Sequence, residues 1–355
     1  MSLPKQDTRS LSGAHAFDVA ALSSWMTTHV DGFSGELTVE QFNGGQSNPT
    51  FLLQANDKKY VMRRKPPGVL LPSAHAVDRE FRVISALART NVPVAKAYAL
   101  CEDDSVIGTM FYVMDCVDGR ILWDPSLPES TPTERAAIFD EMNRVIAALH
   151  SVDYAGIGLG DYGRTKQYLE RQIARWSKQY RAAETEKIDA FDKLIEWLPK
   201  NIPVGDETSI VHGDYRLDNM IFHPTEPRVL AVLDWELSTL GHPLVDFSYH
   251  CMVWRVSPGQ FRGLLGHDLH ALGIPTEAEY GATYCQRTGR PPIPIAEWNF
   301  YMAFNMFRLA SIMQGIMARA LQGNASSADA LAAGKKAKPL AEQAWLEVEK
   351  IIRSS

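Results

Sequence analysis

The pattern of apolar residues changes near residues 118–120, and this change constrains the fold more than any other feature of the sequence. Before it, short β-prone runs alternate with turn-forming residues. After it, nearly every segment has the apolar period of a helix. A chain of 355 residues also suits two lobes better than one small core. The sequence therefore predicts an α+β, bilobal architecture, with a small β-rich lobe containing one helix and a larger, mostly helical lobe.

The boundaries of the predicted lobes and elements follow from these patterns. An N-terminal leader and helix are expected over 1–31, the small lobe over 32–116 and the large lobe over 117–355. The helix of the small lobe is expected within 73–90, with Ser73 as its N-cap. Strands are expected at 36–42, 50–55, 59–64, 96–102 and 108–117. The main helices after the small lobe are expected at 132–152, 165–184 and 189–201.

Residues 209–235 interrupt the helical half with three short apolar runs. Asp214 follows the first run and Asp234 closes the third, so rigid backbone would orient both carboxylates. Asn219 lies five residues after Asp214, and a tight hairpin over the next 15 residues would bring Asp234 back beside it. Hard divalent cations such as Mg²⁺ bind oxygen atoms of this kind together with substrate phosphates.

The spacing D-x-x-x-x-N, followed by a strand that ends in Asp, is typical of phosphoryl-transfer sites. In such sites the first Asp orients and deprotonates the acceptor hydroxyl, while the Asn and the second Asp hold the metal. We therefore interpret "IVHGDYRLDN" (210–219) as a catalytic loop. The alternative is a pair of carboxylates that only stabilise turns.

These segments resemble the aminoglycoside phosphotransferase and choline kinase superfamily, whose loop has His-Gly-Asp or His-Asn-Asp where protein kinases have His-Arg-Asp. The segments "RRKPPG", "LPSAHAVDREFRV", "HGDYRLDNMIF" and "VLDWELSTLGHPLVDFSY" are similar to the domains of this superfamily that occur alone in bacteria or fused to acyl-CoA dehydrogenases. The resemblance covers roughly residues 30–320. It implies a protein-kinase-like fold, a small-molecule kinase activity, and ATP and Mg²⁺ as cofactors.

The resemblance also implies roles for individual residues. Asp214 matches the catalytic base, and Asn219 and Asp234 match the metal ligands. Glu236 is expected either to add an oxygen ligand or to support one. Arg216, two residues after the base, is expected to neutralise the transferring phosphate or to bind an anionic acceptor, with a surface ion pair as the alternative.

Two further residues are expected to hold the catalytic loop without reacting. His212 is expected to orient the loop by hydrogen bonding. Asp246, in "HPLVDFSY", is expected to accept hydrogen bonds from backbone groups of the loop.

Nucleotide binding is expected in the small lobe, around Arg63 and Glu80. Arg63 aligns with the Lys of the kinase motif V-A-I-K and can clamp phosphate with two donors. Strand alternation places Arg63 and Val61 on the same face. Glu80 lies within the apolar stripe of its helix, and an inward carboxylate needs a cation, for which Arg63 is the candidate. An ion pair of Glu80 with its neighbour Arg79 or Arg82 is the alternative.

Other nucleotide contacts are expected from a loop and from the connector between the lobes. Ser47 and Asn48, in "NGGQSN", are expected to donate hydrogen bonds to phosphates, although a plain hairpin turn is the alternative. In "MDCVDG", Met114 is expected to form an apolar wall for adenine. Asp115 and Val117 are expected to bind adenine through their backbone groups.

The acceptor is the least determined part of the predicted reaction. Basic residues crowd 164–181, which indicates either a solvated helix face or a site for an anionic acceptor. The fusion partners of the similar domains suggest a hydroxyacyl-CoA or hydroxy acid, and a link to acyl-CoA metabolism. The alternatives are a kinase for a cationic or neutral metabolite (choline, homoserine, a sugar or an aminoglycoside) and a non-catalytic nucleotide-binding regulator. The intact set Asp214, Asn219 and Asp234 argues against the regulator.

Composition excludes several other classes of protein. The net charge of −6 and the lack of a basic arm argue against a nucleic-acid or membrane-surface binder. Four scattered cysteines without a C-x-x-C pair indicate a reducing compartment. The first residues have no apolar stretch of signal-peptide length. A cytoplasmic, soluble protein is expected.

Overall fold

The computed structural model describes residues 8–11, 16–43, 48–67, 75–324 and 329–354. Contacts within the chain divide it into two compact units. The small unit comprises Met1–Leu122, Tyr154–Tyr162 and Asp218–Ser238, and the large unit comprises Trp123–Asp153, Gly163–Leu217 and Thr239–Ser355. The loop "IVHGDYRLDN" therefore begins in the large unit and ends in the small one.

The small unit is built on an antiparallel sheet that, in the described part of the chain, has six strands in the order β1-β2-β3-β4-β6-β5. All five predicted strands are present, and the short β1 was not predicted. Strand β6 is almost wholly apolar and lies between β4 and β5, in agreement with its sequence pattern. The strands are β1 (Thr8–Ser10), β2 (Leu37–Phe42), β3 (Thr50–Ala55), β4 (Lys58–Arg64), β5 (Ala97–Cys101) and β6 (Phe111–Asp115).

Helices cover this sheet. Helix α1 (Val19–His29) buries Leu22 and Met26 in the same apolar cluster as Phe51 and Phe111 of the sheet, so the predicted leader helix is part of the small unit's core. The small unit thus has more than the one helix expected for the small lobe.

The helix expected within 73–90 is α2 (Val77–Leu87), which begins after Ala76 and has no side-chain cap. Ser73, the expected cap, lies outside the described residues. The short helix α3 (Asp104–Ile107) was not predicted, and it is capped by the side chain of Asp103.

The three predicted apolar runs at 209–235 form strands β7, β8 and β9, and the short strand β10 was not predicted. Strands β8 (Met220–Phe222) and β9 (Val229–Val232) form an antiparallel hairpin in the small unit. Strands β7 (Ser209–Val211) and β10 (Thr239–Gly241) pair in the large unit.

The large unit is otherwise helical, and the long helix α11 is buried along most of its length. Thr131 caps α4 and Pro132 is its first residue, as the sequence predicted. None of the described helices is long and apolar enough to cross a membrane. The helices are α4 (Pro132–His150), α5 (Tyr168–Ala182), α6 (Asp189–Trp197), α7 (Pro243–Cys251), α8 (Pro258–Phe261), α9 (Leu269–Leu272), α10 (Glu277–Thr288), α11 (Ile295–Leu321), α12 (Ala330–Gly334) and α13 (Ala337–Ser354).

Candidate active site

Asp246 holds the backbone of the catalytic loop. Its Oδ2 accepts a hydrogen bond of 2.7 Å from the backbone N–H of His212, and its Oδ1 accepts one of 2.8 Å from Gly213. Gly213 has a φ of 83°, a conformation that favours glycine. The N–H of Asp214 in turn donates to Nδ1 of His212 at 3.2 Å. The predicted structural roles of His212 and Asp246 are therefore confirmed.

A buried histidine supports Asp246 from the other side. Nε2 of His150 lies 3.2 Å from Oδ2 of Asp246, and its Nδ1 lies 2.7 Å from the hydroxyl of Tyr284. Burial by itself would raise the pKa of Asp246, but the hydrogen bonds from His150 and the loop outweigh it and lower that pKa. Asp246 is therefore a buried carboxylate that stays ionised because its partners stabilise the charge.

The side chain of Asp214, one-fifth exposed, is fixed by a tyrosine. The hydroxyl of Tyr249 donates to Oδ1 of Asp214 at 2.6 Å, and Nε of Arg216 lies 3.4 Å from the same oxygen. The guanidinium of Arg216 also lies 5.9 Å from the centre of the Phe261 ring.

Tyr249 and Arg308 were not identified from the sequence. Nη2 of Arg308 donates to the carbonyl oxygen of Gly213 at 2.6 Å, and its guanidinium lies 5.1 Å from the centre of the Tyr249 ring. Tyr249 lies three residues after Asp246 on α7, a spacing that places both on one helix face. That spacing is a signal from which Tyr249 could have been found.

In the small unit, Arg63 is ion-paired with Glu80 as predicted, which excludes the alternative pairing of Glu80 within its own helix. Nε of Arg63 lies 3.0 Å from Oε2 of Glu80, and Nη2 lies 3.1 Å from Oδ1 of Asp234. Oε2 of Glu236 is 3.9 Å from the same Nη2. Arg63 therefore joins the sheet, helix α2 and the end of strand β9.

Glu80 is 1% exposed and has hydrogen bonds to both oxygens. Tyr112 donates to Oε2 at 3.0 Å, and the side-chain amide of Asn48 donates to Oε1 at 2.7 Å. Burial raises the pKa of Glu80, although Arg63 and Tyr112 oppose the shift. Burial alone would lower the pKa of Arg63, but the attraction of Glu80 outweighs it and raises that pKa.

The three proposed metal-binding residues lie at the hairpin β8–β9. The carbonyl oxygen of Asn219 accepts a hydrogen bond of 2.8 Å from the N–H of Leu233, so Asn219 and Asp234 lie at adjacent strand ends. Asp234 has a φ of 62°, which is uncommon for a residue other than glycine. Its side chain is 37% exposed and that of Glu236 is 24% exposed. Partly exposed carboxylate and amide oxygens fit the ligand preference of Mg²⁺.

The other predicted nucleotide contacts have varied environments. Asn48 is 1% exposed, and its side-chain amide donates to Glu80. Oδ1 of Asn48 lies 3.0 Å from Nδ1 of His75. A contact of Asn48 with phosphate remains a prediction. Ser47 lies outside the described residues. Met114 is buried and pairs with Val61 across the strands.

The connector has a backbone donor at Val117 that a ligand can use. The N–H of Asp115 donates to the carbonyl oxygen of Lys96 at 2.8 Å, so this N–H is already used within the protein. Within the described ranges the N–H of Val117 makes no hydrogen bond. Val117 therefore has the backbone donor expected for adenine recognition.

Comparisons with known proteins show the family of this chain. The family described as "Phosphotransferase enzyme family" matches residues 38–282. The chain is 50% identical over 315 residues to "Acyl-CoA dehydrogenase family member 10" of Mus musculus, a match that covers 88% of this chain and 29% of that protein. Two further relatives are "Acyl-CoA dehydrogenase family member 11" of Rattus norvegicus and of Mus musculus. All three relatives are longer than this chain, which spans 29% to 45% of their length.

Solved structures of proteins named as phosphotransferases are also similar to this chain. A crystal structure from Ralstonia eutropha, provisionally named an aminoglycoside phosphotransferase, is 62% identical, has a TM-score of 0.88, and covers 94% of this chain and 99% of that one. A thermostable mutant of an aminoglycoside phosphotransferase, in a ternary complex with ADP and hygromycin B, has a TM-score of 0.56 at 15% identity and covers 90% and 97%. The second likeness shows the fold alone. The predicted α+β, protein-kinase-like fold is confirmed.

Proposed function

The chain belongs to the phosphotransferase enzyme family, and we propose that it transfers the γ-phosphate of ATP, with Mg²⁺, to the hydroxyl of a small molecule. The observation that carries this proposal is the Asp214 carboxylate, which is partly exposed while Tyr249 holds its side chain and Asp246 holds its backbone. A carboxylate fixed in this way is suited to orient a hydroxyl and accept its proton.

In the proposed reaction, Asp214 accepts the proton of the acceptor hydroxyl as the acceptor oxygen forms its bond to the γ-phosphorus. The bond from that phosphorus to the bridging oxygen breaks, and ADP leaves with the electron pair. Most of the catalysis comes from positioning, because little covalent chemistry is left for the protein.

The small-unit residues would bind the nucleotide and its metal. Asn219 and Asp234 would hold Mg²⁺, with Glu236 beside them, and the ion neutralises phosphate charge when it is bound. Arg63 would bind phosphate oxygens, since it already lies 3.1 Å from Asp234. Val117 and Asp115 would bind adenine through backbone groups. The complex of a related phosphotransferase with ADP supports the use of an adenine nucleotide.

Two arginines near Asp214 favour an anionic acceptor. Arg216 lies 3.4 Å from Asp214, and Arg308 donates to the neighbouring carbonyl of Gly213. Arg308 is 9% exposed and forms no ion pair among the residues that the structure describes. A positive surrounding would attract a carboxylate or phosphate on the acceptor and would repel polycationic drugs.

We further infer that the acceptor is a hydroxyacyl-CoA or a hydroxy acid. The curated relatives are named acyl-CoA dehydrogenases, which supports a link to acyl-CoA metabolism. The basic side chains of α5 are a second source of positive charge, although Arg181 pairs there with Glu184 and Asp192. The exposed Lys178 on α5 could still meet an anionic acceptor.

Transfer from γ-labelled ATP to a panel of acceptors tests this proposal. The panel holds hydroxyacyl-CoAs, hydroxy acids, choline, homoserine, a sugar and an aminoglycoside. Asp214→Asn is assayed beside the wild type, with Asp189→Asn as the control because Asp189 is 83% exposed and lies far along the chain from the loop. Transfer to the anionic acceptors that Asp214→Asn abolishes is the expected result. Transfer to cationic acceptors alone would overturn the acceptor class, and transfer by Asp214→Asn at the normal rate would overturn the reaction.

A further inference from the structure

The hydroxyl of Tyr249 contacts the residue proposed as the catalytic base, and no role for Tyr249 follows from the sequence motifs. Its hydrogen bond to Oδ1 of Asp214 is 2.6 Å long. Tyr249 and Asp246 lie three residues apart on α7. One face of α7 therefore supplies both the carboxylate that binds the loop backbone and the hydroxyl that binds the side chain of Asp214.

The ring of Tyr249 is itself held in place. Arg308, on α11, lies with its guanidinium 5.1 Å from the centre of the ring and donates to the carbonyl of Gly213 at 2.6 Å. Tyr249 is 8% exposed and Arg308 is 9% exposed. Their burial restricts other conformations of the pair, so the hydroxyl has a fixed position relative to the loop.

The phenol keeps its proton over the working range of pH. Burial, followed by the charge of the neighbouring Asp214 carboxylate, raises the pKa of Tyr249. The hydroxyl is therefore a donor, and a carboxylate oxygen is its acceptor.

The charged and titratable groups around Asp214 come from three elements. Arg216 and His212 belong to its own loop, Tyr249 and Asp246 come from α7, and Arg308 comes from α11. Tyr249 and Arg216 each contact Oδ1 of Asp214, at 2.6 Å and 3.4 Å.

We propose that Tyr249 is a positioning residue for the phosphotransfer: it holds Oδ1 of Asp214 and fixes the direction in which the carboxylate meets the acceptor hydroxyl. This inference rests on the proposed function, because it takes Asp214 as the group that meets the acceptor. Tyr249 is thereby added to the proposed site as a residue that does not contact the substrate.

Tyr249→Phe tests the inference, because it keeps the ring beneath Arg308 and removes only the hydroxyl. The expected loss in kcat is about tenfold, the effect of one hydrogen bond to a charged group. KM for ATP is expected to stay unchanged. The loss is therefore expected in kcat and not in nucleotide binding, because the hydroxyl of Tyr249 contacts Asp214 and is assigned no contact with the nucleotide.

Tyr280→Phe is the matched control. Tyr280 is also buried in the large unit, and its hydroxyl lies 2.7 Å from Nε2 of His250, the residue after Tyr249. Removal of this hydroxyl costs a buried hydrogen bond in the same way, yet it leaves Asp214 untouched. The expected result for Tyr280→Phe is lower stability with kcat close to that of the wild type. A role of Tyr249 in folding alone would give both variants the same behaviour and would overturn the inference.

A binding measurement that needs no acceptor gives the second readout. Tyr249→Phe and Tyr280→Phe are both expected to bind a non-hydrolysable ATP analogue within about twofold of the wild type. Binding that is about tenfold weaker in Tyr249→Phe would overturn the inference, because the loss would then not be confined to the transfer step.

The two proposals fail in different ways. If Asp214→Asn loses transfer and Tyr249→Phe matches the wild type at every pH, only the role of Tyr249 is overturned. If Asp214→Asn transfers phosphate at the wild-type rate, the proposed function is overturned, and the positioning role falls with it.

Discussion

Nη2 of Arg63 lies 3.1 Å from Oδ1 of Asp234, although 171 residues separate them in the chain. The same guanidinium is ion-paired with Glu80 at 3.0 Å. One cation is therefore shared between a buried carboxylate of α2 and the carboxylate proposed to hold the metal. We expect the proposed nucleotide binding and the stability of the small unit both to depend on Arg63.

Replacement of Arg63 by Met should destabilise the small unit. Glu80 would remain as a buried carboxylate without its cation, and breaking a buried pair costs about 3–5 kcal/mol. Urea unfolding measures the loss. Lys59→Met on the same strand is the control, because Lys59 is exposed. Equal unfolding midpoints for the two variants would contradict a supporting role for Arg63.

Arg63→Lys separates the nucleotide role from the structural one. The ammonium keeps a positive charge beside Glu80 but lacks the planar fork that reaches both carboxylates. The variant should fold and should raise KM for ATP by roughly tenfold, the effect of one lost charged hydrogen bond. An unchanged KM would show that the guanidinium does not bind phosphate.

Asp246→Asn should impair folding and turnover together. The amide has one acceptor oxygen, so one of the two loop N–H groups that Asp246 binds would lose its partner. We expect a loss of about 3 kcal/mol in the free energy of unfolding, since a buried donor would be left unsatisfied. Asp140→Asn is the control because Asp140 pairs with Arg287 while 61% exposed. If both variants lose the same small amount, the carboxylate of Asp246 does not hold the loop.

Buried histidines should make the large unit sensitive to acid. Burial lowers the pKa of His250 and of His242 to about 4, from an ordinary value near 6.5. The unfolded chain therefore binds more protons than the folded one between these values. Stability should be complete above pH 6.5 and fall as the pH drops towards 4, by on the order of 1 kcal/mol per pH unit for each histidine.

His250→Gln tests this origin of acid sensitivity. The variant should show a smaller decrease in unfolding free energy between pH 6.5 and 4.5, even if it is less stable at neutral pH. His267→Gln is the control, because His267 is exposed. The same pH slope in His250→Gln and in the wild type would contradict the account.

Arg216→Ala should lower turnover more than it lowers ATP binding. Arg216 lies 3.4 Å from Asp214 and is one-third exposed, so it is placed to neutralise the transferring phosphate or an anionic acceptor. We expect kcat to fall by on the order of tenfold or more. Equilibrium binding of a non-hydrolysable ATP analogue should stay within about twofold, since lost contacts with the bound nucleotide are not expected. Unchanged turnover would exclude this role.

The resemblance to kinase motifs pointed to Arg63, and local periodicity supported its pairing with Glu80. Alternation along β4 fixes which face carries Arg63, and the apolar stripe of α2 turns Glu80 towards the sheet. The hairpin at 219–234 was predictable for a similar reason, because two short apolar runs flank a turn.

Contacts that depend on packing could not be predicted in this way. Arg308 lies 95 residues from Gly213, and its position follows from the packing of α11 in the large unit. The inward orientation of Asn48 likewise depends on its bond to Glu80 across 32 residues. The short elements β1 and α3 have too few residues for a period to be visible.

The rate of γ-phosphate transfer by Asp214→Asn, measured together with ATP binding, tests the central claim most directly. If Asp214 orients and deprotonates the acceptor hydroxyl, the variant should lose on the order of 10² to 10⁴ in turnover. ATP affinity and the unfolding midpoint should remain close to those of the wild type and of Asp189→Asn. Turnover near the wild-type value, with ATP still bound, would contradict the assignment of Asp214 and the reaction proposed for this protein.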